Sequence, residues 1–517
     1  RICQINSSNN NSKDSSKYSI FIDDWITNPN SNQFKGFGIT APLFSIHTDD
    51  SLGIGQYTDL NKLVDYCNLI GSSMINLLPL NDTTTDGSWS DSNPYRHISA
   101  FALHPIYIDL QKISDLHSEI TSVLGDLDDF KNEISAQEKI DYPRVFAFKM
   151  QKLHQIFALI RGSLEENEKL NLFINQNSQW LEPYALFSVL REKNGTVNYH
   201  QWRETQNLEK GAKSISDRQF RDLLKENSND LVFYYWIQFV CDDQFKAAKA
   251  YARKRRVVLK CDVQIGVPVM SVDCWLYPSL FNIDMATVPF TSSNSHGNLN
   301  YCYQMFNEIR NENDSYCPSY NWPQNATTDF SWWRLRLRRL ADLFDAIELE
   351  HIFEFFRTWD IPINDCVRSL LGHYEPSLSY SKGELKDRGL FDFDFKSFTK
   401  PEIRWSQIQQ RFGSLSDDVA AEFFSNFSHG NKEDIQYTFK NELNTEVKIQ
   451  EYLLDPKNQR KFNITSEQER IEFEIKLFEL LSNVLLIEDK SKRDHYNVRC
   501  QAFVESVGRR PTTNPDH

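Results

Sequence analysis

Hydrophobic and polar positions repeat one arrangement at three places along the chain: an amphipathic helix, then a short β-rich run, then a polar residue. The first such unit reads YTDLNKLVDYCNLIGSSMINLLPLND. In it Thr58 is the predicted helix N-cap and Gly71 the predicted C-terminal stop. The run from Met74 to Leu78 is the predicted strand, since it is apolar and follows the stop directly.

The second and third units keep the same order. The segment FKAAKAYARKRRVVLKCDVQIGV predicts a helix that ends in basic residues, as the helix dipole favours, and a strand from Val257 onward. The segment SWWRLRLRRLADLFDAIELEHIF predicts a helix and then a strand from Ala346 to Glu350. The predicted apolar face of that helix comprises Trp333, Leu337, Leu340 and Phe344, and its arginines, Arg334, Arg336, Arg338 and Arg339, are expected on a solvated face.

Units in which a helix precedes a strand predict parallel strands joined by crossover helices. Polar residues follow the predicted strands at their carboxyl ends: Asp82, Asp262, Glu348 and Glu350. That end carries the chemistry in a (β/α) barrel and the ligand in an open doubly wound sheet, so the pattern leaves both folds open. A nucleotide-binding loop is not indicated, because GFGITA contains only two glycines.

Two long helix-rich regions, residues 111–235 and 363–480, separate the units and predict helical insertions. The polar tract within residues 1–35 predicts a disordered tail and lead-in. A net charge of −14 argues against a nucleic acid or an anionic membrane as partner. No run approaches the ~18 apolar residues of a membrane helix. The nine cysteines lack zinc-site spacing, so we expect no metal, reduced thiols and a cytoplasmic location.

The carboxylates of Glu348 and Glu350 point to the same side of a strand, because the two residues stand two apart in AIELEHIF. Such a pair suits glycosidic chemistry, in which a nucleophile and an acid stand about 5–5.5 Å apart, but solvated strand-end carboxylates are the plain alternative. His351 is a ligand for a sugar hydroxyl or a structural histidine. Tyr95, in DSNPYRHISAFALHP, stacks on a sugar ring or belongs to an ordinary turn.

Taken together, ten stretches resemble the 4-alpha-glucanotransferases (amylomaltase or disproportionating enzyme, glycoside hydrolase family 77). The likeness is greatest to the cytosolic, insertion-bearing branch of plants and amoebae. The stretches run in family order from about residue 36 to 490: APLFSIHTDDSLGIGQYTDL, LLPLNDT, DSNPYRHISAFALHPIYI, WLEPYALFSVLRE, AKAYARKRRVVLKCDVQIG, SVDCWLYPSLF, PSYNW, WWRLRLRRLADLFDAIELEH, FFRTWDIP and LFELLSNVLLIED.

The resemblance implies a (β/α)₈ barrel of the TIM type with the two helical insertions. Residues 36–362 would form its first half, and residues 481–517 a continuation that is incomplete at the C-terminus. It also implies transfer of α-1,4-glucan segments through a covalent glucosyl intermediate, without a cofactor. The implied substrates are glycogen, starch, maltose and malto-oligosaccharides.

The family's nucleophile lies in an Arg-Ile-Asp-His motif, and the four residues from Glu348 to His351 align with it. Glu350 therefore takes the position of the nucleophile, one methylene longer than the aspartate, and Glu348 replaces the arginine. The substrate-binding residues that the resemblance implies are Tyr95, Asp91, Asp262, Glu348 and His351.

The sequence departs from the family pattern in the charge of the site and in one catalytic motif. Two neighbouring carboxylates resist double ionisation, so either Glu348 or Glu350 should have a raised pKa. The family's Glu-Asp-Leu-Gly motif, which carries the acid/base glutamate, does not occur in the sequence. We therefore expect glucan transfer by this chain to be impaired or absent. The alternatives are a non-catalytic glucan-binding or regulatory protein, and a decayed sequence without a stable fold.

Overall fold

The structure is a computed structural model, and it describes most of the chain between residues 36 and 498 together with two short strands before it. The described residues are 2–4, 19–21, 36–114, 118–135, 137, 139–206, 216–288, 316–349, 352–356, 358–363, 373–375, 379–387, 398–401, 403–425, 435–484, 486–488 and 493–498. Glu350 and His351 lie outside these ranges. Most of the predicted lead-in, residues 1–35, also lies outside them.

The strands are short and form four separate sheets. In chain order they are β1 Ile2–Gln4, β2 Ser19–Phe21, β3 Gly38–Thr40, β4 Met74–Leu77, β5 Val258–Val263, β6 Met285–Val288, β7 Ala346–Leu349, β8 Thr358–Pro362, β9 His373–Glu375, β10 Tyr380–Ser381, β11 Leu486–Glu488 and β12 His495–Val498. The sheets have the orders β1-β2, β3-β4-β5-β7, β6-β8-β9 and β10-β12-β11. Only the second is parallel among the described strands.

Helices make up most of the remaining regular structure. They are α1 Leu60–Ile70, α2 Leu110–Ser114, α3 Leu127–Ser135, α4 Tyr142–Leu164, α5 Glu168–Asn194, α6 Arg203–Gln206, α7 Asp217–Glu226, α8 Ser228–Lys254, α9 Val272–Leu276, α10 Trp322–Thr327, α11 Ser331–Leu343, α12 Lys382–Asp387, α13 Trp405–Phe412, α14 Ser416–Phe423, α15 Glu446–Leu454, α16 Pro456–Lys461 and α17 Glu467–Leu481. Every helix in the described ranges is too short or too polar to cross a bilayer.

The parallel sheet confirms the three predicted helix-strand units. Helices α1, α8 and α11 run directly into β4, β5 and β7, and these strands pair in parallel. Helices α2 to α8 lie within the connection between β4 and β5. The four strands form an open sheet in the described part of the chain, and closure into an eight-stranded barrel stays a prediction.

One face of the parallel sheet packs on the helices and is apolar. Alternate residues of the central strand β5, namely Leu259, Cys261 and Val263, are buried there. They belong to a core cluster that extends from Leu43 to Ile361, and a second cluster, from Ile403 to Leu481, is built from the later helices. Because strand side chains alternate, the polar residues of β5 must point to the opposite face.

Helix α1 shows which local signals the sequence carries well. Its end at Gly71 is confirmed, since the residue has φ = 77°, a left-handed conformation that glycine adopts without steric cost. The predicted N-cap was wrong. The chain enters the helix through a 3₁₀ turn, where Gln56 and Asp59 form a capping box, and the Thr58 hydroxyl instead donates to Asp109 Oδ2 at 2.7 Å.

Helix α11 bears out the prediction of a solvated arginine face for Arg334 and Arg338, which are exposed, and contradicts it for the other two arginines. Arg336 and Arg339 are buried, whereas Leu337 is partly exposed. The Arg339 guanidinium pairs with the carboxylate of Asp242 on α8, which compensates its buried charge. The guanidinium of Arg336 lies over the rings of Trp332 and Trp333, 5.5 and 5.2 Å from their centres. Aromatic rings on α11 and a carboxylate on α8 thus allow two arginines to be buried where the hydrophobic periodicity of α11 predicts exposed positions.

Candidate functional site

The opposite face of the parallel sheet, hereafter the polar face, carries Asn76, Lys260, Asp262 and Glu348. Asn76 and Lys260 are register partners on β4 and β5, and Asp262 and Glu348 are register partners on β5 and β7. Partners in register on parallel strands point to the same side. The structure therefore brings together two of the residues that the sequence placed in the site, Asp262 and Glu348, at the carboxyl ends of their strands.

Asp262 is the buried carboxyl group of the polar face. Its Oδ2 accepts a hydrogen bond from Asn76 Nδ2 at 3.3 Å, and its Oδ1 has no partner among the described residues. Burial, with a smaller contribution from the nearby Glu348 carboxylate, raises the pKa of Asp262. A buried carboxyl group with a raised pKa, beside the Glu348 carboxylate with which it can share a proton, suits exchange of a proton or binding of a hydroxyl group.

Glu348 is neutralised from the neighbouring strand. Its Oε2 accepts a hydrogen bond from the ammonium of Lys260, which forms an ion pair across β5 and β7. The Glu348 side chain is 48% exposed and that of Lys260 is 22% exposed, so water screens this ion pair. Sequence reasoning missed Lys260, although a lysine two residues before Asp262 in an apolar strand places a charge on the same face.

The loop after β4 holds two buried carboxylates, Asp82 and Asp91. Asp91 is bound by groups of the loop, and Asp82 is bound by the loop and by helix α5. Asp91 Oδ2 accepts from the backbone N–H groups of Thr85, Asp86 and Gly87 at 2.9, 3.1 and 2.7 Å. Its Oδ1 accepts from the Thr85 hydroxyl. Asp82 accepts from the Thr84 amide at 3.0 Å and from the Tyr184 hydroxyl at 2.7 Å. The structure thus gives both carboxylates a role in shaping the loop.

Tyr95 lies further along the same loop and is partly buried. Its amide donates to Asn93 Oδ1 at 3.0 Å, and its carbonyl accepts a hydrogen bond from the Gln264 side chain, just past β5. The loop of Tyr95 is thereby brought to the end of the strand that carries Asp262. Glu350 and His351 fall outside the described residues, so their positions in the site stay predictions.

A cleft of about 220 Å³ opens beside this loop, and sequence reasoning missed the large exposed aromatic residue that lines it, Trp89. The cleft is lined by Phe44, Ile54, Asn81, Thr83, Trp89, Asp91, Ser92, Pro94, His104, Tyr107, Ile140 and Tyr142. Trp89 is 58% exposed, which is unusual for so large an apolar side chain in an ordered loop. The signal was available, since GSWSDS places a tryptophan among small polar residues.

A larger open groove of about 700 Å³ runs along α4, between Ser122 and Leu159. The ammonium of Lys152 lies in it and pairs with Asp126 at 2.6 Å. The groove has none of the convergent polar groups that mark a ligand site, and its lysine is already paired. The polar face and the Trp89 cleft are therefore the better candidates. In the described ranges, no three His, Cys, Asp or Glu side chains are grouped as metal ligands.

Comparison with known proteins identifies the class. The family model of glycoside hydrolase family 77, 4-alpha-glucanotransferase, matches residues 41–469. The chain belongs to this family. Its fold resembles that of the amylomaltase from Streptococcus agalactiae in complex with acarbose, with a TM-score of 0.53 at 20% identity over 66% of this chain and 64% of that one.

Two curated relatives narrow the comparison. The chain is 34% identical over 465 residues to the 4-alpha-glucanotransferase DPE2 of Oryza sativa subsp. japonica, a match that covers 88% of this chain and 45% of the relative. It is 32% identical over 327 residues to a 4-alpha-glucanotransferase of Chlamydia pneumoniae, covering 62% of this chain and 56% of the relative. The chain thus spans about half the length of the curated relatives it matches.

Proposed function

We propose that this chain acts on α-1,4-glucans as a 4-alpha-glucanotransferase with a retaining mechanism, and that its transfer is impaired by the longer side chain at the nucleophile position and by Glu348 in place of the family's arginine. The observation that carries the proposal is the pairing of Asp262 with Glu348 at the carboxyl ends of β5 and β7, in a chain of this family. The polar face ends directly before position 350, which the family resemblance gives to the nucleophile. The proposed substrates are glycogen, starch, maltose and malto-oligosaccharides, in the cytoplasm.

The proposed transfer has two displacement steps. In the first, the Glu350 carboxylate attacks the anomeric carbon C1, the bond from C1 to the leaving O4 breaks, and O4 takes a proton from a carboxylic acid group. The family carries that group in the Glu-Asp-Leu-Gly motif, which this sequence does not contain, so another carboxyl group would have to supply the proton. In the second, the 4-hydroxyl of the acceptor attacks C1, returns a proton to that group and displaces Glu350, with net retention. These steps balance without a cofactor.

The remaining residues would bind the sugar. Asp262 accepts a hydrogen bond from a sugar hydroxyl through Oδ1, which has no hydrogen-bond partner among the described residues. Glu348 and His351 contact hydroxyl groups of the same sugar, and Tyr95 stacks on a ring. Asp91 contributes indirectly, because it shapes the loop from which both Trp89 and Tyr95 project.

The test is disproportionation by the purified chain with maltose as donor and glycogen as acceptor, followed by the glucose released. Glu350→Gln should lower the rate about 100-fold or more, since an amide is a poor nucleophile. Asp86→Asn is the control for the change from carboxylate to amide, because Asp86 is an exposed carboxylate in the loop after β4. Equal rates for the wild-type chain and Glu350→Gln would contradict the assignment of Glu350.

A second candidate function is glucan binding without turnover, and the exposed Trp89 ring beside its cleft favours it. An exposed indole offers a flat apolar surface for the face of a sugar ring. Retardation of the chain in a glycogen-containing gel, lost in Trp89→Ala, together with no release of glucose, would support this function. Glucose release by the wild-type chain would exclude it.

A further inference from the structure

Gln264 is the first residue after β5, and it makes hydrogen bonds to three residues in two distant segments, the loop of Tyr95 and His97 and helix α11. Its Nε2 donates to the carbonyl of Tyr95, and its Oε1 lies 3.0 Å from Nδ1 of His97. Its own carbonyl accepts from the guanidinium of Arg336 at 2.5 Å. The contacts to Tyr95 and His97 span 169 and 167 residues of sequence, so they fasten the loop to the sheet.

The direction of the His97 hydrogen bond follows from its surroundings. The amide nitrogen of Gln264 is committed to the Tyr95 carbonyl, so the amide oxygen faces His97 and must accept from Nδ1–H. Burial, with a contribution from the nearby charge of Arg336, lowers the pKa of His97 to about 3. His97 is therefore neutral at physiological pH, and the single N–H of its ring is the one used in this bond.

The turn that contains Tyr95 has its own local hydrogen bonds, which fix its shape. The Tyr95 amide donates to Asn93 Oδ1, and the Arg96 amide donates to the Asn93 carbonyl at 3.1 Å. Such bonds do not set where the turn lies relative to the strands, because all their partners belong to the turn. The bonds that do so are those of Gln264 and those of Ile98, whose amide donates to the Asp82 carbonyl at 2.7 Å and whose carbonyl accepts from the Val272 amide at 2.8 Å. Gln264 ties Tyr95 and His97 to the segment of Asp262, which is two residues away from it.

We propose that Gln264 is a positioning residue for glucan binding, which holds the Tyr95 loop against the end of β5 so that Tyr95 and Asp262 contact the same glucan. The proposal rests on the glucan-binding function proposed above. It assigns to Gln264 no contact with the sugar. Loss of the two side-chain hydrogen bonds should weaken the affinity for maltoheptaose about 10-fold, since the loop would no longer be held in its binding position.

The test uses the full chain and three variants. Gln264→Leu removes both side-chain bonds, and Gln264→Glu keeps an acceptor for His97 but loses the donor to Tyr95. Gln244→Leu is the control, because the Gln244 side chain likewise makes two hydrogen bonds to a distant segment, both 2.8 Å bonds to the backbone of Asp109. Maltoheptaose affinity is measured by calorimetry, and amide hydrogen exchange of residues 91–98 by mass spectrometry.

We expect both Gln264 variants to bind maltoheptaose about 10-fold more weakly and to exchange faster in residues 91–98. Gln244→Leu should leave both quantities unchanged, even where it lowers the midpoint of thermal unfolding. Unchanged affinity or unchanged exchange in Gln264→Leu would overturn the proposal. If the wild-type chain binds no maltoheptaose, the proposed function fails, and the exchange rates alone decide whether Gln264 fixes the loop.

Discussion

Two groups of carboxylates at the same edge of the parallel sheet differ in how fully they are bound. In the loop after β4, the Asp91 carboxylate accepts four hydrogen bonds from Thr85, Asp86 and Gly87. On the polar face, one oxygen of Asp262 has no partner among the described residues, and the other accepts only a 3.3 Å bond.

The difference separates a structural carboxylate from one that is available to a ligand. A buried acceptor with a full set of donors gains nothing by binding a sugar, because it would first have to release those donors. A buried acceptor with a vacant oxygen is stabilised when a hydroxyl reaches it. The family resemblance predicts that Asp91 and Asp262 both bind substrate. From their hydrogen bonds we infer that Asp91 shapes its loop and that Asp262 is the residue that binds a sugar hydroxyl.

The largest predicted effect is on stability, from Asp91→Ala. The substitution leaves the amides of Thr85, Asp86 and Gly87 without their acceptor in a partly buried loop. We expect the free energy of unfolding to fall by about 4 kcal/mol, measured by urea denaturation followed by circular dichroism.

The control for Asp91→Ala is Asp86→Ala, since Asp86 is exposed and its carboxylate accepts from the Ser88 amide at 2.9 Å. The control should change stability by less than about 1 kcal/mol. If Asp91→Ala kept the wild-type stability and lost only glucan affinity, the distinction between the two groups of carboxylates would be wrong.

The second prediction concerns pH, and it tests how the loop region responds to charge. His104 is buried, accepts from the Ile106 amide at 3.3 Å through Nδ1 and donates from Nε2 to the Tyr142 hydroxyl at 2.8 Å. Burial is the largest cause that lowers its pKa to about 4. Between pH 6.5 and about 4 the unfolded chain therefore binds a proton that the folded chain does not, so stability falls as the pH falls through this range.

The decrease in the free energy of unfolding that is due to His104 should reach on the order of 3 kcal/mol near pH 4. In His104→Gln we expect the urea midpoint to decline less between pH 7 and pH 4.5 than in the wild-type chain. His47→Gln, at an exposed histidine, should keep the wild-type decline. An equal decline in His104→Gln would show that protonation of His104 does not oppose folding.

Local signals in the sequence were sufficient for much of the fold. Short β-rich runs directly after amphipathic helices located β4, β5 and β7, and Gly71 located the end of α1, because these signals lie in neighbouring residues. The spacing of polar residues past the strands also placed Asp262 and Glu348 at one edge. These features depend on alternation or on a single backbone angle, and a sequence displays both.

Features that depend on distant partners could not be read in the same way. Arg339 is buried because Asp242, on α8, supplies its counter-charge, and no pattern within α11 reveals that partner. The role of Asp91 depends on three amide groups that converge only when the loop is folded. The anchoring of Tyr95 likewise depends on Gln264, which lies on another strand segment.

The smallest predicted effect comes from Lys260→Met on the polar face. The side chains of Lys260 and Glu348 are 22% and 48% exposed, so water screens their ion pair. The coupling energy of the pair, measured in a double-mutant cycle with Glu348→Gln, should therefore be only about 0.5 kcal/mol. The charge of Lys260 also lowers the pKa of Asp262, which burial and Glu348 raise. Its removal should therefore raise the pKa of Asp262 further.

A carboxyl group whose pKa is higher in the folded than in the unfolded chain contributes stability at low pH and loses it as the pH rises through the folded value. Lys260→Met should therefore lose slightly more stability between pH 4 and pH 7 than the wild-type chain, and Lys260→Arg, which keeps the charge, should not. A coupling energy above about 2 kcal/mol would show that the pair is shielded from water. In that case the carboxylates of the polar face would be held as strongly by their partners as Asp91 is by its loop, and the two regions would not differ in how available their carboxylates are to a ligand.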